Sequence, residues 1–179
     1  MKQLLCFALL AGLAGCAGTL PQGAVPVENF NLDRYLGTWY EIARLDHSFE
    51  RGLSRATAFY ALNEDGSVRV VNRGYQEEKK KWKEAVGKAK FVGERNIGRL
   101  KVSFFGPFYG GYNIIDLDDA YSRVLICSNS TKYLWILARE PQLSQDVLTG
   151  LVGKARALNF PVDQLIYVDQ SPVPKPPAQ

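Results

Sequence analysis

What most constrains the fold of this chain is a series of short, β-rich segments at close, even spacing, each ending in a turn signal. Gly37 to Leu45 reads GTWYEIARL. Arg55 to Leu62, RATAFYAL, runs into Asn63-Glu64-Asp65-Gly66. Ser67 to Tyr75, SVRVVNRGY, follows at once, so these two segments pair as a hairpin. Lys83 to Val92 and Arg99 to Phe105 alternate apolar and polar residues, and GYNIIDLD, SRVLICSN and YLWILARE complete the series. Eight strands joined by short connections predict an all-β, antiparallel barrel or sandwich.

One segment has a different period. After Pro141, Val147, Leu148, Leu151, Val152, Ala155 and Leu158 fall on one face of a helix, with Ser144 as its N-cap and Pro161 as its stop. Gln164 to Val168 then reads as a short last strand. A lone helix with one apolar stripe is expected to pack on the outside of the sheet. The segment from Cys16 to about Val27 is rich in Gly, Pro and small residues and reads as a tether. The end, QSPVPKPPAQ, reads as an extended tail. The expected plan is residues 1–15 as a signal, 16–29 as tether, 30–169 as one barrel domain and 170–179 as tail.

The net charge of +4 is spread along the chain and makes no clustered basic face, so nucleic acid is not an expected partner. Of the three cysteines, Cys6 lies in the leading apolar stretch and Cys16 ends it. Cys127 is left alone, without an intrachain disulfide partner, and is expected to be a small buried hydrophobe. Leu4 to Leu13 is too short to span a bilayer as a helix. Leu13-Ala14-Gly15-Cys16 resembles the lipobox of bacterial lipoproteins. That resemblance implies cleavage before Cys16 and acylation of its thiol and new amino terminus, hence membrane attachment through lipid. Ala17, rather than Asp, is the residue expected of the outer membrane.

Within the strand series, Gly37-Thr38-Trp39 resembles the Gly-x-Trp signature of the lipocalins, preceded by NLDRYL. Asp118-Asp119-Ala120-Tyr121 loosely matches the family's second signature, and Arg139, after Trp135-Ile136-Leu137-Ala138, matches the third. The resemblance runs from about Phe30 to Val168. It implies an eight-stranded, up-and-down lipocalin barrel whose base is closed by Gly37, Trp39 and Arg139, with the guanidinium over the indole. GTWYEIARLDHSFERGL and VSFFGPFYGGYN are similar to the bacterial outer-membrane lipocalins, relatives of apolipoprotein D. That similarity implies a membrane-anchored protein on the periplasmic face of the outer membrane. It would store or carry fatty acids or lysophospholipids, with a role in envelope maintenance under stress.

If Trp39 points inward, strict alternation brings Glu41, Ala43 and Leu45 in with it. The same phase brings in Ala58, Tyr60 and Leu62, then Val68, Val70 and Asn72, and then Ala85, Gly87, Ala89 and Phe91. Tyr60, Asn72, Phe91, Phe104, Tyr112 and Trp135 are the expected ligand-cavity residues. Phe49 and FFGPFYGGY are expected near the mouth, where aromatics could touch a membrane or form a dimer patch; monomer and homodimer both stay open. His47 is the only histidine, in the charged loop Asp46-His47-Ser48, and is expected to be solvated. It makes no triad, and one histidine with one free cysteine makes no usual zinc site, so neither catalysis, a metal nor a cofactor is expected. The alternative function is a structural lipoprotein with a filled barrel that meets partners through its rim.

Overall fold

The computed structural model describes residues 18–172. Cys16, the signal segment and the end of the Pro-rich tail lie outside the described residues. A short helix α1 (Leu32–Tyr35) leads into strands β1 (Gly37–Arg44), β2 (Leu53–Leu62), β3 (Val68–Gln76), β4 (Lys81–Phe91), β5 (Arg99–Phe105), β6 (Phe108–Leu117), β7 (Arg123–Cys127) and β8 (Leu134–Ala138). Helix α2 (Gln145–Ala157), a 3-10 turn at Val162–Gln164 and strand β9 (Ile166–Tyr167) follow. Every neighbouring pair is antiparallel, and β1 pairs with both β8 and β2, which closes the eight strands into a barrel. The sheet thereby has few free edges.

The turn chemistry explains the register. At Asn63–Ser67, Asn63 N–H donates to Ser67 O and Gly66 N–H to Asn63 O, while Asp65 accepts from the Ser67 backbone. The β2–β3 pairing then runs without a break from Thr57↔Arg73 to Leu62↔Val68.

Two apolar clusters divide the strand faces. The inner one fills the barrel around Trp39, Tyr35, Tyr60, Val68, Leu100 and Ile126. The outer one lies between the β1–β8–β7 wall and α2, where Leu151 and Ala155 are buried against Ile136, Ala138 and Leu134. The helix thus packs outside, as its stripe predicts; Ser144 caps it by position only, since its side chain makes no capping hydrogen bond. Cys127 is fully buried in the outer cluster, and burial pushes its thiol up to about 12.

Strict alternation fails at several strand irregularities, and the one in β1 matters most for the interior. Glu41 pairs with Leu137 and Ala43 with Ile136, so Ile42 is an extra residue in β1. This bulge reverses the side-chain phase beyond it. Ala43 and Leu45 join the outer cluster, and Arg44 turns into the barrel instead. Leu62 is nearly half exposed at the end of β2.

Both ends of the described chain lie on the barrel. Leu20 and Ala24 pack with the outer cluster, and Val27 N–H donates to Ile114 O. Residues 170–172 also hold to the wall: Gln170 Nε2 donates to Glu41 O and Ala56 O, and Arg55 reaches Ser171 O and Pro172 O. The plan drawn from composition made these segments a tether and a tail. Their described parts, residues 18–29 and 170–172, form no helix or strand and find hydrogen-bond partners on the wall.

Candidate functional site

The closed end is built around Arg139. Its guanidinium carbon lies 4.0 Å from the Trp39 ring centroid, and Trp39 is fully buried. Its nitrogens donate to Thr38 O at 2.7 Å, Leu36 O at 2.8 Å, Arg34 O at 2.9 Å, Tyr35 O at 3.1 Å and Tyr121 O at 3.3 Å. Four of these carbonyls come from the end of α1 and the start of β1, and the fifth, Tyr121 O, from the β6–β7 turn. Gly37, at φ 94°, sits where an added Cβ would lie 3.4 Å from Arg139 Nη1, so glycine suits both its backbone angle and its neighbour. The loosely matching second signature also serves this end. Asp118 accepts from Ser122 N–H at 2.7 Å and Arg123 N–H at 2.9 Å. Tyr121 takes φ 56°, uncommon for a bulky residue, while its hydroxyl accepts from Asn31 N–H and Arg34 lies over its ring.

Above this plug, three tyrosine hydroxyls form a buried chain. Tyr112 lies 2.6 Å from Tyr35 and 2.8 Å from Tyr60. Burial raises all three phenols well above their ordinary range. The space beneath, walled by Phe30, Val68, Val70, Leu100 and Val102, is about 10 Å³, enough for about one water. The tyrosine layer is the floor of whatever space remains for a ligand.

The upper half is more open on one side. Ala58, Asn72 and Ala85 stand opposite one another across β2, β3 and β4, and Ala85 is exposed although it faces inward. Gly74 lies higher on β3, and Gly87 leaves room for the Phe104 ring, which an added Cβ would meet at 2.8 Å. Asn72 Oδ1 and Gln76 Oε1 are buried and have no protein partner.

The opposite wall is a buried polar cluster. Arg44 Nη1 donates to Glu41 at 2.6 Å, and Arg44 Nη2 to Glu50 O at 2.9 Å and Leu53 O at 3.1 Å. Trp135 Nε1 donates to Glu50 Oε2 at 3.1 Å, and His47 Nε2 lies 2.9 Å from the same oxygen. Burial, and then the neighbouring Glu50 charge, push the Glu41 carboxyl up to about 8 against the pull of Arg44. His47 is therefore not solvated. It is only 5% exposed, stacked on Phe49 at 3.9 Å and close to Trp135. Carboxylate and ring partners drew it in, and nothing in its local sequence announces them.

Of the residues expected in the cavity, Tyr60 and Tyr112 form the floor, and Asn72, Phe104 and Trp135 stand above it. Phe91 lies lower, against Phe30 at 6.1 Å and beneath Arg95. Tyr35, Arg44 and Glu50 are interior residues that the sequence reading missed. Glu41 and Arg44 are three apart, which places them on opposite faces of a regular strand; only the bulge unites them.

A lipocalin-like domain family matches residues 30–170. The chain is 49% identical over 168 residues to the outer membrane lipoprotein Blc of Vibrio cholerae, covering 93% of this chain and 96% of that one. It is 31% identical over 186 residues to apolipoprotein D of Cavia porcellus, covering 96% and 97%. Insecticyanin of the tobacco hornworm Manduca sexta superposes with a TM-score of 0.67 at 19% identity, covering 86% and 87%. Signatures, closed barrel and relatives agree: the chain belongs to the lipocalin-like family, as a binding protein and not an enzyme.

Proposed function

We propose that this protein is a lipid-anchored lipocalin of the outer membrane, attached through acylated Cys16, that holds a single-chain lipid in the upper half of its barrel. It resembles Blc, named an outer membrane lipoprotein, over nearly its whole length, and its own LAGC sequence supplies the attachment chemistry. The observation that carries the ligand reading is the divided interior. An apolar wall with small side chains at Ala58 and Ala85 faces a polar wall of Glu41, Arg44 and Glu50, above a floor of tyrosines. A fatty acid or lysophospholipid matches this division, with its chain along Phe104 and its head among the polar groups. Apolar burial at about 25 cal/mol per Å² supplies the affinity, less the ordering of the chain. Carrying or storing such lipids suits envelope maintenance under stress.

The tightly filled lower half favours one other reading, a filled barrel that works through its rim. Native mass spectrometry with fatty acid and lysophospholipid in competition separates the two. We expect a one-to-one lipid adduct that Ala85→Trp abolishes. Val86→Trp, the outward neighbour on β4, is expected to leave it intact. A folded protein without any adduct, or one indifferent to Ala85→Trp, overturns the lipid-cup reading.

A further inference from the structure

The β5–β6 hairpin ends in Phe105-Gly106-Pro107-Phe108, with Phe105 and Phe108 opposite each other across it. They are 81% and 78% exposed, the most exposed aromatic side chains among the described residues. Tyr109 follows, 41% exposed, with Lys101 Nζ 5.0 Å from its ring. Two adjacent phenyl rings left in water at the open end of a barrel need a partner.

The path of the chain's beginning points to that partner. Gly18 O accepts from Arg99 Nη2 at 3.1 Å, and the Asn129 side chain lies against both Gly18 and Gly111. From Gly18 the chain runs along the outside of β6 to Val27, bonded to Ile114 near the closed end. Traced backwards, it climbs toward the mouth. Gly18 is level with Gly111, three residues or about 10 Å along β6 from Phe108. Cys16 is two residues before Gly18, a span of at most about 7 Å. Gly18, two residues after the attachment cysteine in sequence, and the exposed phenyl rings thus lie on one side of the barrel.

We propose that the tip of the β5–β6 hairpin is a wedge that dips into phospholipid and, beside the acylated Cys16, seats the barrel mouth-first on the membrane. This inference rests on the reading of Cys16 as the lipid attachment site. The wedge is too narrow for a second copy of the chain: two phenyl side chains cover a few hundred Å², against about 1,200 Å² or more for a stable interface. Lys101 flanks it, and the turn of the neighbouring β3–β4 hairpin carries Lys79, Lys80 and Lys81 after Glu77 and Glu78, a small cationic excess that suits anionic headgroups. The acidic pairs Glu64–Asp65 and Asp118–Asp119 lie at the far, closed end.

The test uses the full-length protein purified from membranes and reconstituted in phosphatidylethanolamine–phosphatidylglycerol vesicles. Photoreactive p-benzoylphenylalanine replaces Phe105, Phe108 or, as a control, Phe59, an exposed ring on the outer face near the closed end. We expect lipid crosslinks from positions 105 and 108 to exceed those from 59 several-fold. Equal labelling at the three positions, or protein–protein crosslinks at 108 in place of lipid, overturns the wedge. The intact mass of the same preparation reports acylation separately. An acylated protein without lipid crosslinks at 105 and 108 refutes the docking alone and leaves the anchor reading standing. An unacylated protein refutes the anchor, and crosslinks at 108 then still decide whether the wedge meets lipid.

Discussion

Replacing Arg139 tests how the closed end is held. The guanidinium reaches five carbonyls and one indole face. The bonds to Arg34 O and Thr38 O are exposed, so water substitutes for much of them. Those to Tyr35 O and Leu36 O are partly buried, each contributing about 1.5 kcal/mol as charge-assisted bonds. The stacked indole adds about 1 kcal/mol. Arg139→Ala is therefore expected to destabilise the barrel by about 4 kcal/mol, lowering the melting temperature by about 10 °C for a chain of this size. Arg139→Lys keeps the charge but has no planar fork for carbonyls on several sides, and should lose about half as much. Urea unfolding followed by fluorescence of the buried Trp39 measures both. An Arg139→Ala protein within about 1 kcal/mol of the parent would refute the reasoning, as would a lysine variant worse than alanine.

Tyr112→Phe strands the hydroxyls of Tyr35 and Tyr60 together and should cost about 2 kcal/mol in the same assay. Tyr60→Phe leaves the Tyr35–Tyr112 bond in place and should cost less; equal losses would contradict the central role of Tyr112. Glu41 titrates near 8 when folded and near its ordinary value when unfolded, so the folded state holds the extra proton in between. Stability is then full below about pH 4.5 on this account and falls as pH rises toward 8, by at most about 1.4 kcal/mol per pH unit. Glu41→Gln should flatten the decline, and an unchanged slope would show that another group causes it. The Cys127 thiol, held at about 12 inside the outer cluster, should stay unmodified by maleimide until the protein unfolds; peptide mass mapping reads this, and rapid native labelling would contradict its burial.

The strands, the hairpins and the outer helix were legible because each rests on local chemistry. A period of two with Asn-Glu-Asp-Gly after it makes a hairpin almost anywhere, and Val147 to Leu158 form a stripe only as a helix. The base was legible only through the family resemblance: Trp39 and Arg139 match its first and third signatures. The polar wall was not. Its existence depends on one inserted residue, Ile42, that the opposite strand alone defines. The burial of His47 depends in turn on Glu50 and Trp135, the latter 88 residues away in sequence. At both ends Gly and Pro mark segments without regular structure of their own, and residues 18–29 and 170–172 nonetheless lie on the barrel wall.

The last described residues give the barrel a closing order. β1 and β2 pair directly only from Gly37↔Tyr60 to Tyr40↔Thr57, so the seam between them parts toward the mouth. Val168 N–H donates to Ile42 O on one lip, Arg55 N–H to Asp169 O on the other, and the Gln170 amide bridges both. The wall formed first along the chain is thus fastened by a segment more than a hundred residues later. Until that segment arrives, the upper seam has no fastening, and its contacts span more than a hundred residues of chain. Such long-range closure is slow. The upper seam between β1 and β2 is therefore expected to close late in folding.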